Sequence, residues 1–305
     1  MAIPRPLRVA IQGERGAYSE EAAVQLLGDS IKVVSTRDVP HMFSSVARHR
    51  AHVCLVPMEN SLVGSIFHHY DLLLQYGMRI HGEVYLRAEH CLIAPVGTFF
   101  EDLERVYSHP FALDQCQEFF RRHPHIEAIS TWDTAGSVQM LVDRRVAGAG
   151  AIAGRGAASH YGAKVLREGL EDDPANYTRF FLLALDDDED LGSLSDGFEP
   201  EVLGPTKTSI VFHVENQPGN LREVLDGFAR REIDLTRIES RTVRGKPLEH
   251  LFYLDFLGSP ESGPGEAAMA DLEQRAGFLR RMGTYPSGRF DWVGRDDPLF
   301  PRRPG

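Results

Sequence analysis

The chain has 305 residues, 42% hydrophobic and 25% charged, enough for two or three soluble domains with apolar cores of their own. Its 44 acidic and 33 basic residues give a formal net charge of −11, which argues against a nucleic-acid partner because phosphate neutralisation needs a basic surface. No apolar run approaches the roughly 20 residues of a membrane span, so no membrane partner is expected.

Taken in chain order, short β-like runs alternate with helical segments from Leu7 to about Leu185. "LRVAIQG" predicts a strand that stops at Gly13, and "SEEAAVQLLG" a helix with Ser19 as N-cap and Gly28 just past its end. "IKVVS" reads as a strand, followed by a helix from about Asp38 to Arg48. "HVCLVPMENS" is a strand running into a polar turn, "SIFHHYDLLLQYG" a helix, and "LRAEHCLIAP" a further strand. The pattern then repeats with "LERVYSHP", the helix "FALDQCQEFFRRH", "IEAIST", a helix from Thr134 to about Val142, "GAGAIAG", a short helix around Ala157, and "TRFFLLAL". This alternation predicts an α/β fold with a largely parallel sheet, in which ligands sit beyond the carboxyl ends of the strands. Those ends carry "MENS", "SHP" and "STWDT".

Residues 186–206 are acidic and rich in Gly, Ser and Pro, the composition of a linker between domains 1–185 and 207–286. The second domain reads strand "KTSIVFHVEN", helix "PGNLREVLDGFARREI", a hairpin of "DLTRIESRTV" and "LEHLFYLDFLG" around "RGKP", a helix from about Gly265 and a strand near "LRRMGTYP". That βαββαβ order is the ferredoxin-like unit. A tail, 287–305, has no clear element. Three scattered cysteines, Cys54, Cys91 and Cys116, lack CxxC spacing, and the N-terminus shows no apolar signal region; both suit a reducing, cytoplasmic setting.

Several motifs sit where chemistry would. In "GERGAYSEEAA", Gly13 and Gly16 permit a tight turn, and the helix that follows offers free N–H groups to a carboxylate. An ordinary β–α turn explains the same residues. "VPMENSLVGS" sets Glu59, Asn60 and Ser61 at a strand end, as an orienting group or as a capping turn. "YSHPFALDQC" places Ser108 and His109 at another strand end with Gln115 farther on; without a GxSxG elbow a serine hydrolase is disfavoured. In "NYTRF", Asn176, Thr178 and Arg179 form a site rim or simply open a strand. His68 and His69 are neighbours and cannot share one metal, "GAGAIA" at 148–153 lacks the context of a dinucleotide loop, and the "NYT" sequon is irrelevant inside a cell.

In this order, "GxxGAYSEEAA", "VPMENSLVGSI", "SHPFALDQC", "DTAGSV", "YGAKVL" leading to "NYTRF", then "PGNL", "ESR" and "MGTYP" resemble prephenate dehydratases with a C-terminal ACT regulatory domain, over about Leu7 to Pro286. The resemblance implies a catalytic part of two α/β lobes, like a periplasmic binding protein, with the site in the cleft between them. It implies decarboxylative dehydration of prephenate to phenylpyruvate in phenylalanine synthesis, with no metal or organic cofactor. Carried over by position, the catalytic set is Thr178, Glu59, Asn60, Ser108 and Gln115. Substrate binding falls to Ala17, Ser61, Thr134, Arg179 and Phe180, with the Arg179 fork a natural carboxylate partner or a member of a structural salt bridge.

The effector implied is L-phenylalanine, at Asn220, Leu221, Glu239, Ser240 and Arg241, and the assembly a homodimer or tetramer. Phe111 stands where the family usually has Gln, Asp133 where Ser is common, and "PGNL" and "ESRT" replace "PGAL" and "ESRP". "NSLVGSIFHHYDLLL" also resembles arogenate dehydratases, whose substrate carries an amino group in place of the keto group. A non-catalytic, amino-acid-sensing protein is the alternative of another class.

Overall fold

Strand β1 (Leu7–Gln12) has Val9, Ala10 and Ile11 fully buried, so both of its faces are covered. It runs into Gly13, whose φ of +91° suits glycine, and then into helix α1 (Tyr18–Leu27). Ala17, not Ser19, is the N-cap. The cause is Glu20, whose carboxylate reaches back to accept from the Gly16 N–H (2.6 Å) and from Arg15 (2.7 Å). Strand β2 (Ile31–Thr36) leads to α2 (Val39–Ala47), capped by Asp38 on the His41 N–H at 2.9 Å. Then follow β3 (Val53–Asn60), β4 (Gly64–Ser65) and α3 (Phe67–Tyr76).

The run expected as one strand near Cys91 is the end of β5 (Met78–Arg87), a break, and β6 (Cys91–Ala94). In the break the Ala88 N–H donates to the Asn176 carbonyl (2.8 Å) and the His90 N–H to Glu171 Oε2 (2.8 Å). After β7 (Arg105–Ser108), the single expected helix is two, α4 (Pro110–Asp114) and α5 (Gln117–Arg122). Asp172 causes the interruption: its carboxylate caps the Gln117 and Glu118 N–H groups, each at 2.9 Å, and its N–H donates to the Gln115 carbonyl at 2.8 Å. Next come β8 (Glu127–Ser130), α6 (Thr134–Arg144), β9 (Ala149–Ala153), α7 (Arg155–Tyr161), β10 (Lys164–Arg167) and β11 (Tyr177–Leu185).

These strands form two sheets. One has the order β2-β1-β3-β11-β5, with β4 beside β3; the other has the order β10-β6-β9-β7-β8. The sheets are mixed rather than largely parallel. The β1–β2, β1–β3, β7–β8 and β7–β9 pairs are parallel, but β6, the first strand to enter the second sheet, runs antiparallel to β9 and β10. The "GAGAIAG" stretch is a central strand, with Ala149, Ala151, Ile152 and Ala153 fully buried.

The computed structural model describes residues 6–186, 197–243, 245–261 and 263–290. Part of the expected linker, 187–196, and most of the expected tail, 291–305, lie outside the described residues. The described residues fall into two units. The larger takes 6–76, Val84–Phe181 and Phe290; the smaller takes Gly77–Glu83 and the described part of Leu182–Arg289.

The smaller unit contains β12 (Leu203–His213), α8 (Asn220–Ala229), β13 (Leu235–Val243), β14 (Lys246–Leu257), α9 (Gly263–Glu273) and β15 (Phe278–Gly288), a βαββαβ series. Its sheet has the order β13-β14-β12-β15, all antiparallel. Ile210, Phe212, Leu254 and Phe256 of the sheet pack against Val224 and Phe228 of α8 and Leu272 of α9. Burying each of these large side chains stabilises the unit by about 1.5–3 kcal/mol. Gly283 leaves room for the Ile80 carbonyl, which a Cβ there would meet at 2.2 Å. No helix among the described residues is long and apolar enough to cross a membrane.

Candidate active site

Within the larger unit, residues from both sheets line a cavity of about 210 Å³. Strand ends and helix starts deliver its walls: Asn60 ends β3, Thr178 and Phe180 lie on β11, Ala17 and Tyr18 begin α1, and Thr134 begins α6. Gln115 sits at the interruption between α4 and α5, so the Asp172 cap that divides the expected helix also frees Gln115 from a continuous helical wall.

A chain of hydrogen bonds fixes which way each amide faces. The Leu62 N–H donates to Asn60 Oδ1 at 3.0 Å, so the Asn60 nitrogen must point the other way. Asn60 Nδ2 donates to Asn176 Oδ1 at 2.8 Å and to Thr178 Oγ1 at 3.1 Å. Asn176 consequently turns its Nδ2 to Gln115 Oε1 at 3.0 Å. That oxygen lies 2.8 Å from His90 Nε2, which must carry a proton to approach it. Burial lowers the His90 pKa, outweighing the opposing effects of Gln115 and Glu171, so the ring is neutral and its Nδ1 is an acceptor. Tyr18 OH donates to that Nδ1 at 2.6 Å, and burial keeps the phenol protonated.

One donor of this hydrogen-bonded chain remains for a ligand: Thr178 Oγ1 accepts from Asn60 and has its own hydrogen to give. Gln115 Nε2 also has no protein partner, but it is sealed from the cavity surface. The arrangement can hold a departing hydroxyl at Thr178 among neutral partners.

Of the residues expected at the site, Asn60, Gln115, Thr178, Ala17, Thr134 and Phe180 line the cavity. Glu59 and Arg179 do not. Successive residues on a strand face opposite sides, so Asn60 and Thr178 turn inward while their neighbours turn away. Arg179 is 3% exposed, lies 3.7 Å from Glu59 and stacks over the Phe181 ring, its guanidinium carbon 4.5 Å from the centroid. Among the alternatives for Arg179, the salt bridge is the one present.

Ser108 is also corrected. Its hydroxyl is fully buried and donates to the Ile152 carbonyl at 2.6 Å, extending the contact between β7 and β9 past their last paired residues. Ser61 stands outside the cavity and pins the start of β11: its Oγ donates to the Ala175 carbonyl (2.5 Å) and accepts from the Tyr177 N–H (2.9 Å).

His90, Tyr18, Asn176, Asp133, His109 and Trp132 line the cavity as well. His90 was hidden by reading "LRAEHCLIAP" as one strand, although the polar "AEH" interrupting an apolar run was a usable signal. Asp133 caps α6, accepting from the Gly136 N–H at 2.6 Å, and also accepts from the Glu14 N–H at 3.4 Å. Burial raises its pKa against the lowering effect of those backbone donors.

The expected effector residues lie on the smaller unit. Asn220 opens α8 after Gly219 (φ +95°) and donates to the Glu215 carbonyl at 3.1 Å. Leu221 packs on the apolar core, Glu239 pairs with Arg237, and Ser240 and Arg241 face Phe252 and Leu251 in the register of edge strand β13.

The family model described as prephenate dehydratase matches residues 9–188. Arogenate dehydratase/prephenate dehydratase 2 of Arabidopsis thaliana is 40% identical over 293 residues, covering 92% of this chain and 73% of the relative. The solved structure of GqqA, described as a novel type of quorum-quenching acylase, is 30% identical, with a TM-score of 0.78 over 92% of this chain and 98% of that one. The prephenate dehydratase of Arthrobacter aurescens, solved in complex with L-Phe, is 27% identical, with a TM-score of 0.75 over 92% and 90%.

Proposed function

The chain belongs to the prephenate dehydratase family, and from that premise we propose that it expels carbon dioxide and water from a prephenate-type ring acid. The observation that carries this is the orientation of Thr178, whose hydroxyl is left as a donor to the cavity by the Asn60 amide. In the reaction the bond from the ring to its carboxylate breaks, and its electron pair enters the ring. The ring C–O bond breaks at the opposite carbon, its pair leaving with the oxygen, which takes up one proton to become water. Prephenate yields phenylpyruvate, and arogenate, the named substrate of several relatives, yields phenylalanine.

Aromatisation drives the step, so the protein has only to orient the acid and assist the hydroxyl. Thr178 donates to that oxygen as charge builds on it, and the neutral amides that orient it bring no charge beside it. An acylase, the activity named for GqqA, needs a nucleophile beside a general base; Thr178 Oγ1 bonds an amide nitrogen instead.

We read the βαββαβ unit as an ACT-type regulatory domain, with phenylalanine bound near Asn220, Leu221, Glu239, Ser240 and Arg241, and as the pairing element of a homodimer or tetramer. The likeness to a dehydratase solved with L-Phe supports the effector. Three free, buried cysteines suit a reducing compartment, which we take to be the cytoplasm. Incubating the pure protein with prephenate and with arogenate, with and without phenylalanine, tests the reaction and its regulation. Formation of neither phenylpyruvate nor phenylalanine overturns the enzymatic reading in favour of a binding protein. Sedimentation as a monomer overturns the assembly.

A further inference from the structure

Resting on the reaction proposed above, we infer that Asp133 selects the amino form of the substrate side chain, an ammonium beside a carboxylate, over the keto form. Among the residues that line the cavity, Asp133 is the single carboxylate, and none is Lys or Arg. Arg179, expected as a partner for a substrate carboxylate, is turned to the other side of β11 against Glu59 and Phe181. A keto acid of this class carries two negative charges and would bring both into a cavity that holds a carboxylate and no Lys or Arg. The amino form brings two carboxylates and one cation.

Asp133 is held firmly enough to act as a subsite. The Gly136 N–H (2.6 Å) and the Glu14 N–H (3.4 Å) bond the same oxygen, Oδ2, so the carboxylate is anchored from α6 and from the turn after β1. Gly13 makes this position possible, since a Cβ there would lie 2.6 Å from Asp133 Oδ1. The amide chain that orients Thr178 runs through Asn60, Asn176, Gln115, His90 and Tyr18 and does not include Asp133. The two ends of the site thus carry separate tasks: a neutral donor for the leaving hydroxyl and an anion for the side chain. Burial makes the ionised form of Asp133 costly, a cost that an ammonium partner offsets. His109 is the other cavity group whose charge acts on it, and it also favours the anion.

The test is kcat/KM for arogenate and prephenate on the same preparation, for the wild type, Asp133→Asn and Asp133→Ser. Both replacements keep a residue that caps helices well, so α6 is retained. The wild type is expected to favour arogenate, and both variants to lower the arogenate-to-prephenate ratio about 30-fold, the scale of one lost bond to a charged group. The change should appear mainly in KM for arogenate. A wild type that favours prephenate overturns the inference. So does a ratio that moves less than about threefold while turnover persists, or an equal loss for both substrates, which would reduce Asp133 to a helix cap. Conversion of neither substrate by the wild type would instead remove the underlying reaction.

Discussion

The polar group around Thr178 and the one around Glu83 are both buried, and they are built on opposite principles. Around Thr178 the partners are neutral: Asn60, Asn176, Gln115, His90 and Tyr18 pass a donor direction from one to the next. In the smaller unit, fully buried Glu83 is paired with Lys207 and also accepts from the Gly288 N–H at 3.1 Å. Two residues along the strand of Lys207, Ser209 donates to Asp255 (2.6 Å) and meets Tyr285 OH (2.6 Å). An amide has a donor end and an acceptor end, so a row of them can set the proton of a hydroxyl without desolvating a charge. An ion pair has strength but transmits no such direction, and losing one member leaves a bare charge. The neutral row organises chemistry, and the charged pair holds architecture.

The difference can be broken first at the ion pair. Lys207→Ala should destabilise the protein by about 3–5 kcal/mol, measured by urea unfolding, because it strands Glu83 in the interior. Lys207→Met combined with Glu83→Gln keeps an acceptor for Gly288 and should recover most of that loss; failure to recover would show that the pair contributes more than mutual neutralisation.

At the neutral row the effects should appear in rate rather than stability. Thr178→Ala should lower kcat by at least ~10²-fold, while Thr178→Ser, which keeps the hydroxyl, should retain much of it. A near-normal rate for the alanine variant would return Thr178 to a structural role. Asn60→Asp is the sharper probe. It is nearly isosteric and still accepts from the Leu62 N–H, but its second oxygen now draws the Thr178 hydrogen away from the cavity. A drop in kcat of about tenfold or more with KM little changed is expected; an unchanged kcat would contradict the directional role of the amides.

The smallest effect is one of pH on stability. Asp133 has a raised carboxyl pKa in the folded state, so in the window between the ordinary carboxylate value and the raised one the folded protein binds more protons than the unfolded. Its contribution therefore falls as pH rises through that window. Asp133→Asn should remove that part of the slope, read as a flatter dependence of the urea midpoint on pH.

Much of the fold was legible because its signals are local. Gly28 after α1, the start of α2 next to Asp38 and the antiparallel pairing of β13 with β14 stand where a helix end, a helix start and a hairpin were expected. The limits of that legibility are equally specific. Asp172 divides a helix that begins more than 60 residues earlier in the chain, and Glu20 displaces an expected cap. The bonds to Asn176 and Glu171 separate β5 from β6 and turn the polar "AEH" interruption, with His90, into part of the cavity wall.

The site followed the same division. The sequence by itself determined the chemistry-bearing motifs, and its period of two required that Glu59 and Asn60, or Thr178 and Arg179, face opposite ways. It could not say which member of each pair faces the cavity. Only the tertiary structure decided that, because β11 lies between β3 and β5 with Thr178 beside Asn60, while Arg179 lies beside Glu59 and Phe181. It also decided that Ser108 bonds a buried carbonyl and that Asp133 lines the cavity. A strand's alternation is a property of neighbouring residues, whereas a cavity joins walls drawn from Gln12 to Phe180 and exists only after the sheets have formed.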